Sequence, residues 1–476
     1  MTSEAAIRSS IPARLDRLPW SRWHWRVVIA LGVSWLLDGL EVTVVGSLGP
    51  TLQRADTLGL SAAQIGWAAS AYVAGAVLGA LYFGRLADRL GRKRMFLVTL
   101  AVYVGATVLT AFSFSLLTFA CCRFLTGFGI GGEYAAINSA IDELIPARLR
   151  GTVDLAINGS FWIGAALGAA VSIPLLDERF LDPQLGWRLA FGLGALLGAA
   201  ILLVRRHVPE SPRWLLMHGR SAEAEAIVAQ IEAELALRHG ALPAFSGQLS
   251  MRALRSVPWR EIVRLLATRY RRRTVLGLVL MAAQAFFYNA IFFTYALVLT
   301  QFYGVPNASV GYYIFPFAVG NFLGPLILGR LFDAIGRRVM IALTYAASGI
   351  ALFATGEAFA SGALGATGLT LCWSAIFFVA SAAASAAYLT VSEVFPLEMR
   401  AIAISIFYAT GTALGGFAGP PLFGAMIESG SRPALFGAYA LAGGLMCAAA
   451  LVAAFLGVDA ERKPLEEVCA PLGSVP

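Results

Sequence analysis

Apolar residues run along this chain in unbroken stretches of roughly 20, the length that crosses a bilayer as helix. Polar residues gather in the gaps. Twelve such runs lie near residues 27–49, 65–84, 95–115, 117–139, 154–176, 187–206, 274–300, 310–331, 339–359, 364–390, 401–427 and 433–456. A barrel strand would instead alternate apolar and polar residues with period two. Inside lipid each backbone polar group needs a partner within its own segment, so the runs are expected to be helices. The pattern predicts an all-α membrane protein of twelve transmembrane helices.

Composition agrees. The chain is 58% hydrophobic and 13% charged, against about 45–50% apolar and about 25% charged in soluble domains. Charge then sets orientation. With a cytoplasmic N-terminus, 31 of the 36 Lys and Arg residues fall on cytoplasmic segments; Arg54, Arg179, Arg188 and Arg432 fall outside and Arg123 lies within a span. That bias is the positive-inside rule. The net charge of +8 therefore reads as topology and attraction to anionic lipid, with no nucleic-acid partner implied. The expected location is the inner membrane, with both termini cytoplasmic. Residues 1–26 are polar and the first run is too long for a signal core, so no cleavable signal peptide is expected. Cys121, Cys122, Cys372, Cys447 and Cys469 show no metal-ligand spacing.

The chain divides into a tail (1–26), a six-helix half (27–206), a linker (207–273), a second six-helix half (274–456) and a tail (457–476). GRLADRLGRKR at 84–94 and GRLFDAIGRRV at 329–339 match at an offset of 245. DELIPARLRG at 142–151 and SEVFPLEMRA at 392–401 match at an offset of 250. Two motifs in one order at nearly one offset mark a tandem repeat in the same orientation. The linker is basic, and its SAEAEAIVAQIEAELA (221–236) predicts an amphipathic helix opened by a Ser cap.

These motifs carry a resemblance to the major facilitator superfamily of transporters over nearly the whole chain. RFLTGFGIGGE (123–133), GWR (186–188), PESPRWL (209–215) and EVFPLEMRA (393–401) resemble its sugar-porter-like branch. DGLEVTVVGSLGP (38–50) is more similar to the first helix of aromatic-acid:proton symporters. The resemblance implies transport by alternating access, usually as a monomer, driven by a proton gradient and with no cofactor. It also implies a breakable cytoplasmic latch: Gly84, Asp88, Arg89, Gly91, Arg92, Arg94, Glu143 and Arg150, with Asp333, Arg337, Arg338, Glu393 and Arg400 as second-half equivalents.

Acids lie within the apolar runs of the first half, among them Asp38 and Glu41, three residues apart, and Glu133. Intramembrane acids commonly mark proton relays or substrate sites. His24, His207, His218 and His239 all fall in segments expected to be cytoplasmic, so any proton relay must use carboxylates. Arg123 either balances one of the two first-helix acids or binds a substrate carboxylate with its planar fork. GFGIGG (127–132) reads as close helix packing rather than a nucleotide loop. Gln284, Tyr288, Asn289, Tyr295, Asn321, Trp373, Tyr388 and Tyr408 are candidate cavity-lining groups. Sugar porters carry a Gln-Gln pair in helix 7 and a Gln in helix 5; here Ala283 and Asn158 stand at those places. Fewer amides suit a sugar less well, because an unmatched buried hydroxyl costs about 1–3 kcal/mol.

No lysine follows a phosphate-binding loop and no catalytic constellation is visible, which excludes an ATP-driven pump and makes an enzyme an unlikely class. The sequence reading is a proton-coupled symporter of a small, carboxylated or aromatic metabolite. Sugar or polyol symport and export of a drug-like compound stay open as alternatives.

Overall fold

The computed structural model describes residues 7–176, 179–205, 209–245, 249–251, 257–292, 294–306 and 310–472. His207 and part of the linker lie outside them. Each apolar run is helical. The first half contains α1 (Arg22–Ser47), α2 (Ala62–Leu90), α3 (Arg92–Ala111), α4 (Leu116–Leu144), α5 (Arg150–Leu176) and α6 (Pro183–Arg205). The second contains α7 (Arg271–Phe292), α8 (Val310–Ala334), α9 (Arg337–Ala360), α10 (Ala366–Glu393), α11 (Arg400–Glu428) and α12 (Arg432–Leu456). The run expected at 274–300 is not one helix: a separate piece, Tyr295–Tyr303, follows α7. At the junction the Thr294 N–H donates to the Ile291 carbonyl, three residues back, at 3.3 Å, a tightened turn that interrupts α-helical register.

The repeat recurs in the packing. In the first half α1 lies on α5, α2 on α4, and α3 on α4 and α6; in the second α7 lies on α11, α8 on α10, and α9 on α10 and α12. Across the seam α2 packs on α11 and α8 on α5. These two pairs exchange when the halves are swapped, as a pseudo-two-fold requires. Without a hydrophobic drive between helices in lipid, contact depends on small residues that let backbones approach. A Cβ added to Gly131 would collide with the Ala76 carbonyl, one at Gly164 with that of Leu36, and one at Gly324 with that of Phe378. The glycines of 127–132 thus serve helix packing. Gly91 (φ 99°) and Gly336 (φ 123°) form the matching turns α2–α3 and α8–α9, a backbone conformation that side chains with a Cβ disfavour.

The basic end of the bundle carries an added layer. Linker helices Pro212–Met217, Ser221–His239 and Trp259–Ala267 sit there with the tail helices Ile11–Asp16 and Leu465–Val468. Strand β1 (Ile7–Ser9) pairs antiparallel with β2 (Leu249–Met251), tying the N-terminal tail to the linker. The Ser cap expected at 221 is absent: Arg220 holds the N-cap position with no side-chain cap. Its guanidinium instead pairs with Glu223 in the first turn. A serine cap occurs at Ser211, whose hydroxyl accepts from the Trp214 N–H at 3.1 Å.

Candidate functional site

Asp38 and Glu41 are both buried on α1, yet they face different partners. Glu41 pairs with Arg123 of α4. The same guanidinium lies 4.6 Å over the Tyr72 ring, and these neighbours offset the hydration that a cation so enclosed has lost. Of the two balances open to Arg123, the fold selects Glu41. Asp38 makes no ion pair among the described residues. It accepts hydrogen bonds from the Tyr72 hydroxyl at 3.1 Å and from the Tyr134 hydroxyl.

Tyr134 in turn belongs to a cluster of four rings, two from each half. Trp35 stacks on Tyr134 at 4.5 Å. Tyr408 of α11 meets Tyr134 edge-on at 4.8 Å, and Tyr388 of α10 meets Trp35 at 5.7 Å. Asp38 therefore sits at the seam between the two halves. A small cavity beside it is lined by Ser34, Tyr103 and Glu133 among others.

The remaining lining candidates divide. Tyr288 donates to the Asn321 side-chain oxygen at 2.7 Å, while Ser381 donates to the Asn321 backbone carbonyl at 2.7 Å. Tyr288 also approaches Trp162 of α5, centroids 6.2 Å apart, so this group too reaches across the seam. Tyr295 bonds to Thr370 at 2.8 Å and packs on Trp373, deep in the second half. The amide of Asn289 donates to its own helix at Ala285. Among the described residues Gln284 has one long contact, to the Met281 sulfur at 3.9 Å. Asn158 donates to the backbone and side-chain oxygens of Asp154. No array of free amides faces the seam from these three positions.

At the basic end the two halves are clamped by matching contacts. Asp88 accepts the Ala401 and Ile402 N–H groups at 3.2 and 3.0 Å, at the N-terminus of α11. Its repeat mate Asp333 accepts Gly151 N–H at 3.2 Å and Thr152 N–H at 2.7 Å, at the N-terminus of α5. A carboxylate at a helix N-terminus satisfies orphan donors and complements the dipole. Arg92 bonds Glu143 at 2.8 Å and Asp88 at 3.1 Å; Arg337 bonds Glu393 at 3.0 Å and Asp333 at 2.8 Å. Arg150 reaches Glu393 at 3.4 Å and Arg400 reaches Glu143 at 3.8 Å, each crossing the seam. Gly84 packs against Ser405 so closely that a Cβ would collide with it. Arg89 and Arg94 differ from the rest: both side chains are exposed and make no ion pair among the described residues. Arg338 donates to the Ala454 carbonyl, within its own half.

Several participants were not singled out from sequence. Buried Arg213 bonds Asp16 at 3.1 Å, Glu466 at 2.9 Å and the Glu143 carbonyl at 2.6 Å, joining both tails to the clamp. Glu210 accepts from the Arg92 N–H at 2.9 Å. Both belong to PESPRWL, so the motif was visible but its partners were not. Burial holds the Glu210 carboxyl above its ordinary value despite the N–H groups around it. Trp35, Tyr72 and Tyr134 gave no local signal; neighbours distant in sequence make them special. Asp154, at the start of its apolar run, was not singled out either. Among the described residues no His, Cys, Asp and Glu cluster could hold a metal ion.

Two six-helix repeats around a seam with buried acids and a clamped end define a membrane transporter of the major facilitator fold. The chain belongs to the sugar (and other) transporter family, whose model matches residues 26–470. It is 28% identical to the niacin transporter of Acinetobacter baylyi, over 96% of this chain and 99% of that one. It is also 28% identical to the 4-hydroxybenzoate transporter of Pseudomonas aeruginosa (88% and 91%) and to the gallate transporter of Pseudomonas putida (89% and 90%). Among solved structures, the proton:xylose symporter XylE superposes with a TM-score of 0.77 at 19% identity, over 94% of this chain and 98% of that one. The family and these relatives are transporters, not enzymes.

Proposed function

We propose that this transporter is a proton symporter for small aromatic carboxylates in the inner membrane, with its basic end and both termini cytoplasmic. One observation carries the reading: Asp38 is buried at the seam, held among the described residues by tyrosine hydroxyls, beside rings from both halves. An ionised Asp38 would repel a carboxylate arriving among those rings. Protonation removes that repulsion, so proton and anion bind together or not at all. An aromatic ring would slot among Trp35, Tyr134, Tyr388 and Tyr408, where offset and edge-on contacts are worth about 0.5–1.5 kcal/mol each beyond area burial. Arg123 is a second anion-binding group if Glu41 lets it go; Glu133 and Tyr103 border the proton's path.

The closed basic end fits this scheme. Its ion pairs would form when the cytoplasmic side is shut and part when the load is delivered. The relatives support the substrate class, since niacin, 4-hydroxybenzoate and gallate each place a carboxyl group on an aromatic ring. XylE, named as a proton symporter, supports the coupling.

Proteoliposomes loaded with a pH dye test the reading. Addition of 4-hydroxybenzoate or nicotinate should acidify the interior beyond the leak measured in empty liposomes, and Asp38→Asn should abolish the excess. Acidification driven by sugars but not by these acids would overturn it.

A further inference from the structure

The clamp conceals a second buried acid. Asp154 lies on α5, one turn beyond Arg150 and so about 6 Å deeper along the helix. It is fully buried. One carboxyl oxygen accepts the Asn158 amide at 3.1 Å; the other has no hydrogen-bond partner among the described residues. No cation lies within ion-pair distance of it among the described residues. Asp142 of α4, Glu393 of α10 and Arg337 of α9 are the charged groups that act on it from the packed elements, two acids against one base. That base is already held by Glu393 and Asp333.

We infer that Asp154 is a second proton-carrying group, neutral while the basic end is closed and ionised when it opens. A buried carboxylate with no cation and a bare oxygen is strongly disfavoured as an anion, so in this closed arrangement it holds its proton. The clamp lies between it and the basic end: Arg150 is its neighbour one turn away, and Gly151 and Thr152 are the residues that Asp333 grips. Once Asp333 releases α5, water reaches the Asp154 carboxyl, which then loses its proton to the solvent on that side. Asn158 is a positioning residue, donating to Asp154 in both forms. The consequence is a gate sensitive to pH on its own side: alkaline solution favours the opened end, independently of Asp38 and of whichever substrate is carried.

The test needs no substrate. Infrared difference spectra of the purified full-length protein, wild type minus Asp154→Asn at neutral pH, should show one protonated carboxylic C=O band that is absent from the variant. Hydrogen–deuterium exchange over residues 150–158, corrected for the intrinsic pH effect, should rise severalfold in the wild type between mildly acidic and mildly alkaline solution and stay flat in Asp154→Asn. Asp154→Glu should restore the pH response. Should Asp154→Asn fail to fold, Asn158→Ala offers a second route. Loss of its amide donor should shift the same C=O band to higher frequency. No carboxylic band assignable to Asp154, or an alkaline rise of equal size in Asp154→Asn, would overturn the inference. Loss of symport with Asp38→Asn bears only on the proposed function.

Discussion

Asp333→Asn probes how much the clamp holds. The carboxylate of Asp333 is nearly enclosed, with a side-chain exposure of 6%. It grips α5 across the seam through Gly151 N–H at 3.2 Å, Thr152 N–H at 2.7 Å and the Thr152 hydroxyl at 2.6 Å. An amide oxygen can still accept one of these, but the charge is gone. Hydrogen bonds to charged groups contribute about 1.5–3 kcal/mol, against about 0.5–1.5 for neutral ones. The favourable charge at a helix N-terminus adds about 0.3–1 kcal/mol, up to about 2 when partly buried. The expected loss is about 2–3 kcal/mol, which shifts the closed-to-open ratio by about 30- to 150-fold. Exchange protection of residues 150–158, read against α3 and α9 as internal references, measures that ratio. Asp88→Asn should do the same for residues 400–408, with a smaller effect because no hydroxyl joins its two N–H donors. A fall below about threefold in both variants, under about 0.7 kcal/mol, would refute the clamp.

The other predictions are briefer. Asp38→Asn should abolish net uptake driven by a pH gradient yet keep exchange of labelled for unlabelled substrate; equal loss of both would mean a structural role. Removing one partner of the buried Glu41–Arg123 pair should cost about 3–5 kcal/mol, and Arg123→Met with Glu41→Leu should recover much of the melting temperature; no recovery would mean Arg123 serves something other than Glu41. Gly131→Val should separate α2 from α4 and cost at least about 1–3 kcal/mol in thermal unfolding. Burial pushes the Glu466 carboxyl up, but the Arg213 guanidinium, its own backbone N–H and Arg400 together outweigh burial and hold the group below its ordinary value of 4.5. Its pair with Arg213 therefore stabilises fully above pH 4.5, and that share is lost as pH falls through the lower folded-state value. Glu466→Gln should lower the melting temperature at neutral pH and cease to differ from wild type in acid.

Helix number, the tandem repeat and the clamp motifs were legible in the linear sequence. Each depends on local regularity: runs long enough for a bilayer, and motifs recurring at offsets of 245 and 250. That Asp38 and Glu41 are buried was legible too, because acids inside an apolar run can only face protein or a cavity. Which cation met which acid was not. Arg123 is 82 residues from Glu41 in sequence, and helix packing alone sets it beside that acid and leaves Asp38 to tyrosines. Likewise Tyr134 and Tyr388 belong to equivalent helices of different halves, and only closure of the seam makes them neighbours. The break before Tyr295, Asn158 turning back to Asp154 four residues away on its own helix, and Arg89 and Arg94 lying exposed were not legible either, because the apolar pattern does not say which neighbour a polar side chain takes. Sequence determines the elements through the solvent each must face; which side chains meet at the seam is decided by how the two bundles close upon each other.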